Sequence, residues 1–269
     1  MEKKRKVLVG LSGGVDSSVA AYLLLQEGYE VIGITMQMES AMANQNVIED
    51  AALVAKHLGI THIVLDFHRE FKEHVIQNFI QEYQNGRTPN PCIVCNRHVK
   101  WEALLEKADE LGADYIATGH YASIQKLDNQ RYAITNSATA AKDQTYALYQ
   151  LTQKQLERTL MPVGVYEKDQ IRQIALEASI PVATKADSQE ICFIPDHDYA
   201  AYIERNSDVV LPKEGDFVNT QGEIIGKHKG LIHYTVGQRK GLNLSVGHPV
   251  FVKELKVEEN QVVIGESKD

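Results

Sequence analysis

The sequence predicts an α/β protein in which a doubly wound parallel sheet is followed by a small β-rich second domain. Short apolar strands alternate with helices through the first half of the chain, as in a parallel sheet. The turn Ser12-Gly13-Gly14 joins the first strand to the first helix. Beyond Pro212 the pattern changes to short β segments separated by glycines. We therefore expect two domains, at residues 1–208 and 209–269.

The elements of the sheet follow from apolar periodicity. Apolar residues recur at helical spacing from Val47 to Leu58, and Gly59 ends that pattern. The same reasoning predicts strands at Val7–Gly10, Glu30–Met36, His62–Asp66 and Tyr115–Thr118, and helices at Asp16–Glu27, Val47–Leu58, Phe71–Tyr83 and Asn96–Leu111.

The chain after the fourth strand is expected to form a hairpin and a helical extension. The hairpin, Ala122–Ile124 with Arg131–Thr135, is predicted at the edge of the sheet. Further elements are predicted as helices at Gln144–Leu151, Thr152–Leu160 and Glu167–Ala178, an irregular segment at Val182–Pro195, and strands at Pro249–Leu255 and Gln261–Gly265.

Composition and charge limit the classes of protein that the chain can be. Hydrophobic residues make up 43% of the chain, and no apolar run approaches the ~20 residues of a membrane span. The basic residues at the N-terminus precede a strand rather than a secretory leader, so a cytoplasmic protein is expected. A net charge of −8 argues against indiscriminate coating of nucleic acid.

Two basic windows lie within this acidic chain. Residues 85–100 and 226–241 contain no carboxylate; the first has Arg87, Arg97 and Lys100, and the second has Lys227, Lys229, Arg239 and Lys240. Such windows suit a polyanion bound at one place, although two solvated loops would look the same.

The glycine-rich turn predicts a phosphate site. The motif G-x4-G-K-[ST] is absent from the chain, and Gly10, Gly13 and Gly14 have the wrong spacing for G-x-G-x-x-G. The pattern SGGxDS matches in full, and it resembles the PP-loop of the ATP pyrophosphatases. In such a loop Ser12, two glycine amides and Ser17 surround a pyrophosphate at a helix N-terminus, and Asp16 holds Mg²⁺. ATP cleaved between its α- and β-phosphates leaves an adenylated substrate.

Three cysteines predict thiol or metal chemistry. An odd number of them argues against a disulfide framework. Cys92 and Cys95 precede a predicted helix that Asn96 is placed to cap, and thiols there are expected to be nucleophilic. A structural zinc site would need His98 or His120 as a fourth ligand, and Cys192, taken alone, could be a buried core residue.

Six motifs in order resemble one family, the tRNA-specific 2-thiouridylases. These are SGGVDSS, TPNPCIVCN, ATGHY, KDQTYALYQL, DSQEICFI and HKGLIHYTVGQRKGL, and the resemblance runs from about Lys6 to Glu266. It implies ATP and Mg²⁺ as cofactors and a tRNA as the substrate. Its wobble uridine would be adenylated at the C2 oxygen and then thiolated by a persulfide, which a sulfur-donor protein would supply.

The resemblance also implies a role for each matching residue. Cys192 corresponds to the persulfide carrier and Cys95 to the cysteine that forms a disulfide with it. Asn90, Pro91 and Cys92 would line the target base, while His120, Lys142, Asp143 and Gln144 would contact the tRNA. ATP would lie on Gly10, Leu11, Ser12, Gly13, Gly14, Val15, Asp16, Ser17, Met36 and Gly119, with the Met36 backbone facing the adenine.

The chain departs from the family pattern in two places. Some members have an aspartate at the position of Cys92, so the acid and base of the reaction stay open. Three thiolates, from Cys92, Cys95 and Cys192, could instead hold a [4Fe-4S] cluster that carries sulfide on its free iron. The family also continues into a third, β-barrel domain, and the chain stops near where that domain would begin.

Two other functions remain possible on sequence grounds. A PP-loop enzyme could act on another RNA base or on a small molecule, as GMP and NAD synthetases do, although those reactions need none of the three cysteines. Alternatively, the chain could be a non-catalytic paralogue that binds RNA or carries sulfur. Pyrophosphate release that depends on added tRNA would separate these functions.

Overall fold

The computed structural model of the chain describes residues 4–38, 45–187, 191–194, 196 and 198–267. Two compact units are formed, one by residues 1–74 and 92–189 and the other by residues 75–91 and 190–269. Compactness does not by itself decide where a domain ends, so the division into 1–208 and 209–269 stays a prediction. Within the described residues, no helix is long and apolar enough to cross a membrane.

The first unit contains a five-stranded sheet in the order β3-β2-β1-β4-β7, and every neighbouring pair is parallel. Its strands are β1 (Lys6–Gly10), β2 (Glu30–Gln37), β3 (Thr61–Asp66), β4 (Tyr115–Ala117) and β7 (Thr159–Leu160). The helices include α1 (Val15–Gln26), α2 (Gln45–Leu58), α3 (His68–Phe71), α5 (Pro91–Cys95), α6 (Glu102–Glu110), α7 (Gln153–Glu157) and α8 (Lys168–Glu177).

Helices cover both faces of this sheet. On β1, Val7 and Val9 join one buried cluster with α1, α2 and α8, whereas Leu8 joins a second cluster with α6. Because successive side chains of a strand point to opposite faces, a run of apolar residues in β1 is buried on both sides. The predicted doubly wound parallel sheet is confirmed.

The expected edge hairpin is a separate sheet. Strands β5 (Ser123–Lys126) and β6 (Tyr132–Thr135) pair antiparallel with each other, and β7 forms the edge of the five-stranded sheet instead. The predicted helix over 152–160 is therefore wrong at its end. Thr159 lies in β7, and its Oγ1 accepts a hydrogen bond from Trp101 Nε1 at 2.9 Å.

Two helices also differ from the sequence prediction. Within 144–151 the only helical piece is a 3-10 turn at Thr145–Ala147. The helix expected from Asn96 begins five residues earlier, at Pro91, and runs through a π-helical segment, Asn96–Trp101, into α6. Proline is favoured at the first helical position, because its fixed φ suits the helix and no N–H is lost there.

The second unit is rich in short strands, as predicted. Its elements are α4 (Gln77–Gln84), α9 (Tyr199–Asn206), β8 (Gly215–Val218), β9 (Ile224–His228), β10 (Phe251–Lys256) and β11 (Gln261–Gly265). The four strands form one sheet in the order β10-β11-β8-β9. Phe217, Val252 and Val262 lie in its core.

Candidate functional site

The glycine loop, Gly10–Ser17, connects β1 to α1 and is held by its neighbours. The Leu11 amide donates to the Ile34 carbonyl at 2.7 Å, which extends the pairing of β1 with β2. Gly13 has a φ of +64°, and a Cβ there would lie 2.7 Å from the Val47 carbonyl oxygen. Both facts require glycine at this position.

Serine hydroxyls close the loop from inside. Ser17 Oγ accepts a hydrogen bond from the Ser12 amide at 3.2 Å and lies 3.2 Å from the Gly14 carbonyl, to which it donates. Gly14 is the N-cap of α1, and no side chain caps the helix there in the described structure. The first amides of α1 are thus available to an anion, which the helix dipole also favours.

The carboxyl end of β4 lies directly against this loop. A Cβ on Gly119 would come within 2.6 Å of the Ser17 nitrogen and 2.7 Å of the Asp16 carbonyl carbon. Only glycine allows the backbone after β4 to approach α1 this closely. The structure therefore brings Gly119 beside Asp16 and Ser17, and their shared role in binding ATP stays a prediction.

Two lysines that the sequence analysis missed reach the glycine loop. Lys168, at the start of α8, places its Nζ 2.7 Å from Asp16 Oδ1. Lys185 Nζ donates to the Gly13 carbonyl at 3.0 Å and to Asp50 Oδ2 at 2.6 Å. No short motif could reveal them, because they lie more than 150 positions from the loop along the chain.

Asp187 joins Lys168 in an ionic cluster. It lies 2.9 Å from Lys168 Nζ, 2.8 Å from Arg172 Nη2 and 3.2 Å from Lys142 Nζ. Burial favours a higher pKa for Asp187, but hydrogen bonds from Lys168 and Lys142 outweigh it and lower the pKa. The connected cluster has three cations, Lys142, Lys168 and Arg172, and two carboxylates, Asp16 and Asp187, which leaves one net positive charge. Lys185 forms a separate pair with Asp50.

Tyr121 completes the surroundings of Asp16. Its hydroxyl donates to Asp16 Oδ1 at 2.7 Å, and the Lys168 ammonium lies 5.5 Å from its ring centre. Burial, and then the hydrogen bond to Asp16, raise the pKa of Tyr121. The tyrosine therefore keeps its proton and orients the carboxylate.

Met36 lies near the C-terminal end of β2, two residues beyond Ile34, which is the last β2 residue that pairs with β1. The Ile34 carbonyl points towards β1, where it accepts the Leu11 amide. Because strand residues two apart point their backbone groups the same way, the Met36 N–H and C=O face that side too, beyond the last β1 pair. The Thr35 hydroxyl donates to the Leu11 carbonyl at 2.9 Å, and this bond holds β2 against the start of the glycine loop.

The cysteine turn, Cys92–Cys95, lies within α5 rather than before a helix. Cys92 is exposed, whereas Cys95 is only 6% exposed. Asn96 does not cap a helix as expected, because the chain is already helical there. Its Nδ2 instead donates to the Ala147 carbonyl at 3.0 Å. This bond fixes the turn against the segment that follows the KDQ motif, Lys142-Asp143-Gln144.

His120 lies at the end of β4 against Trp101. Its Nδ1 is 2.8 Å from Thr118 Oγ1, and the two rings are 5.5 Å apart. Burial, together with the positive charge of Lys100, lowers the pKa of His120 to about 3. The imidazole is therefore neutral at physiological pH and can serve as a hydrogen-bonding group.

The side chains of the KDQ motif form ion pairs and hydrogen bonds with other residues of the protein. Lys142 pairs with Asp187, and Asp143 accepts hydrogen bonds from the Ser137 and Thr145 amides at 2.8 and 3.0 Å. Gln144 Oε1 accepts the Tyr121 amide at 2.9 Å. These contacts order the chain beside the ionic cluster, and the predicted tRNA contacts of the motif stay predictions.

Cys192 belongs to the second unit and is exposed, so the alternative of a buried core cysteine is wrong. Its neighbour Phe193 is buried, with its ring 5.4 Å from both Phe79 and Tyr202. Across the described residues, no group of three or more His, Cys, Asp or Glu side chains could hold a metal ion.

Comparison with known proteins places the chain in a family. The family model "tRNA methyl transferase HUP domain" matches residues 5–196, and "tRNA methyl transferase PRC-barrel domain" matches 207–266. A tRNA-specific 2-thiouridylase MnmA of Lachnoclostridium phytofermentans is 56% identical over 98% of this chain and 77% of its own length. The chain belongs to the tRNA-specific 2-thiouridylase family.

A second 2-thiouridylase supports this assignment. The MnmA protein of Clostridioides difficile is 51% identical over all of this chain and 77% of its own length. Among solved structures, a U34-tRNA thiolase, NcsA, from Methanococcus maripaludis is 20% identical, covering 76% of this chain and 67% of its own. The TM-score of that match is 0.46.

Proposed function

We propose that the chain is an ATP-dependent tRNA-uridine 2-sulfurtransferase that acts on a wobble uridine in the cytoplasm. Membership of the 2-thiouridylase family supports the reaction class. The observation that carries the proposal is the glycine loop, with uncapped helix amides and two lysines directed at it. That combination suits a polyphosphate whose leaving group is pyrophosphate.

ATP is proposed to lie along the carboxyl ends of β1, β2 and β4. The amides of Gly13, Gly14 and Val15 would receive the β- and γ-phosphates, with Ser12 and Ser17 beside them. The Met36 backbone faces the side where an adenine edge would need a donor and an acceptor. The close approach of Gly119 leaves no side chain between β4 and the loop.

Asp16 fits a role in holding Mg²⁺ through its second carboxylate oxygen. Its Oδ1 already accepts from Tyr121 and Lys168, so Oδ2 would be the oxygen that holds the cation. Bound Mg²⁺ would neutralise phosphate charge during the reaction. Lys168 and Lys185 supply positive charge from the protein itself.

The first step forms the adenylated base. The uridine C2 oxygen attacks the α-phosphorus, the bond from that phosphorus to the bridging oxygen of the β-phosphate breaks, and pyrophosphate leaves with the electron pair. The net positive charge of the ionic cluster stabilises the negative charge that grows on the pyrophosphate. Activated in this way, C2 carries AMP as a good leaving group.

The second step replaces oxygen by sulfur. The terminal sulfur of a Cys192 persulfide attacks C2, and the C2–O bond breaks to release AMP. The Cys95 thiolate then attacks Cys192 Sγ, the bond to the transferred sulfur breaks, and its electrons stay on the 2-thiouridine. The resulting Cys95–Cys192 disulfide is reduced by a dithiol, and a sulfur-donor protein restores the persulfide.

The steps above follow the persulfide route, and a [4Fe-4S] cluster held by Cys92, Cys95 and Cys192 is the alternative. Anaerobic purification with iron and labile-sulfide analysis tests this choice. An active, colourless protein without iron is expected, and stoichiometric iron that is needed for thiolation would overturn it.

The target base is proposed to lie at the start of α5. Asn90, Pro91 and the exposed Cys92 precede or begin the helix, where short side chains leave room for a flipped base. His120, neutral and half-buried, is proposed as a contact for the tRNA rather than as a proton donor.

The decisive experiment measures pyrophosphate and thiolated nucleosides in the same reaction. Pyrophosphate release should require tRNA, and mass spectrometry should find 2-thiouridine when a persulfide donor is added. Cys192→Ser should abolish thiolation while pyrophosphate release and ATP binding persist. Release without tRNA would indicate a small-molecule acceptor, and no release at all would indicate a non-catalytic binding protein.

A further inference from the structure

Two exposed tyrosines follow the KDQ motif, and the proposed reaction gives them no role. Tyr146 is 58% exposed and Tyr149 is 66% exposed, although both belong to a segment whose other apolar residues are buried. Leu148, between them, is fully buried, and Ala147 is 5% exposed. The segment therefore packs by one side and presents both rings on the other.

The backbone places the two rings on one face. Hydrogen bonds of the i→i+3 type run from Ala147 to Gln144, from Leu148 to Thr145 and from Leu151 to Leu148, at 3.0 Å each. The 3-10 helix itself is Thr145–Ala147, and the chain continues as a turn through Tyr149 and Gln150. In a succession of i→i+3 turns, residues three apart lie towards the same side, which favours the exposure of Tyr146 and Tyr149 on one face.

The support beneath the rings is rigid and continuous with the cysteine turn. Asn96 is 1% exposed, and its amide holds the Ala147 carbonyl. One residue further, the exposed Arg97 donates from Nη1 to Gln150 Oε1 at 3.5 Å, and Gln150 donates to the Tyr149 hydroxyl at 3.2 Å. A guanidinium therefore lies beside the aromatic face.

Charge identifies the partner of this surface. Residues 92–101 and 144–156 contain no Asp or Glu, while they include Arg97, Lys100 and Lys154. In a chain with a net charge of −8, two acid-free segments that meet at one surface favour a polyanion over an average protein surface. Aromatic faces next to cations are the means by which proteins bind unpaired bases.

We propose that Tyr146 and Tyr149 form a stacking platform for unpaired nucleobases of the RNA substrate, with Arg97 on its phosphate backbone. The platform rests on the proposed function, because it explains how the enzyme would hold the RNA substrate of that reaction. Bases beside the target must leave their stack when the target is extruded, and the tyrosines replace the lost stacking. Each ring that stacks on a base should contribute roughly 5- to 150-fold in affinity.

Binding of a synthetic anticodon stem–loop RNA to the full chain tests the platform. Tyr146→Ala and Tyr149→Ala should each weaken binding by about 10-fold or more. Tyr146→Phe and Tyr149→Phe keep the aromatic face and should remain within about twofold of the unchanged protein. Val165→Ala removes another strongly exposed apolar side chain of the same unit and should have no effect.

Salt dependence separates stacking from charge. The tyrosine substitutions should leave the slope of log affinity against log salt unchanged, whereas Arg97→Gln should reduce it by roughly one phosphate contact. If an alanine variant does not fold, Tyr→Leu at the same position keeps apolar bulk without the aromatic face and should show the same loss. Leucine variants that bind like tyrosine would overturn stacking.

Three results would reject the platform. Alanine variants that bind RNA normally reject it, and so does a loss confined to delivery by the sulfur-donor protein, which would identify a protein interface. Phenylalanine variants as weak as alanine variants would assign the effect to the hydroxyls. If the unchanged protein thiolates tRNA in any of these cases, the proposed function stands; if it binds no RNA, both proposals fail.

Discussion

The glycine loop and the cysteine turn both begin helices of the same unit, yet they are built in opposite ways. The loop presents backbone amides, and its serine side chains bond within the loop itself. The turn presents side chains, with Cys92 outward and Cys95 inward, and its position depends on a distant contact from Asn96 to Ala147. Backbone chemistry can be encoded in six consecutive residues, whereas side-chain chemistry depends on what packs around it.

The charge of the loop breaks this simple contrast. Its amides come from a local motif, but its cations come from Lys168 and Lys185, far along the chain. The loop is therefore local in shape and non-local in electrostatics. Three substitutions test that division, from the largest expected effect to the smallest.

Lys168→Gln should remove positive charge that a distant residue supplies to the glycine loop, without changing the shape of the loop. We expect tRNA-dependent pyrophosphate release to fall by roughly 100-fold, because a charge that stabilises the leaving group is lost. Alkylation of the exposed Cys92 should keep its rate, since the cysteine turn is untouched. Lys56→Gln, at an exposed lysine of the same unit, is the control. Equal rates in both variants would show that Lys168 only braces Asp187.

Gly13→Ala should disrupt the backbone shape of the glycine loop, which its own residues encode. The alanine would need a φ of +64° and would meet the Val47 carbonyl at 2.7 Å, so a loss of about 2–4 kcal/mol in unfolding free energy is expected. Gly59→Ala is the matched control, because its φ is +67° with no atom within 4 Å of the added Cβ. Denaturant titration should give about 1–2 kcal/mol for the control. Similar losses would mean that conformation alone, and not packing, selects Gly13.

The smallest effect is a pH dependence where the two regions meet, at His120. Its folded pKa, about 3, lies below the value of ~6.5 for an unfolded histidine. As the pH falls below ~6.5, the unfolded chain takes up the proton first, so the contribution of neutral His120 to stability decreases. Replacing it by glutamine should shrink the loss of unfolding free energy between pH 7 and pH 5.

Exposed His68 provides the comparison for this measurement. His68→Gln removes one histidine in the same way, at an exposed position of the same unit. The same profile for both variants would contradict a half-buried, neutral imidazole beside Trp101. NMR titration of the His120 ring should likewise show no protonation above pH 4.

Much of the fold followed from the sequence because its determinants are periodic or local. The order of strands and helices through Ile116 depends on apolar spacing, and the glycine loop depends on consecutive residues with one backbone requirement. The family motifs identified the reaction class for the same reason. Elements without a periodic signal were misplaced: β7 has two residues, and the start of α5 depended on a proline after an asparagine.

The sequence by itself determined the sheet, the phosphate-binding backbone and the family of the chain, since each is encoded in neighbouring residues. Only the tertiary structure decided the electrostatics of the site. Lys168, Lys185 and Asp187 surround the loop because α8 and the segment after it fold back onto α1. It also decided that Tyr146 and Tyr149 are exposed while Leu148 between them is buried. Coulomb interactions and burial depend on distance in space, which no local pattern of residues specifies.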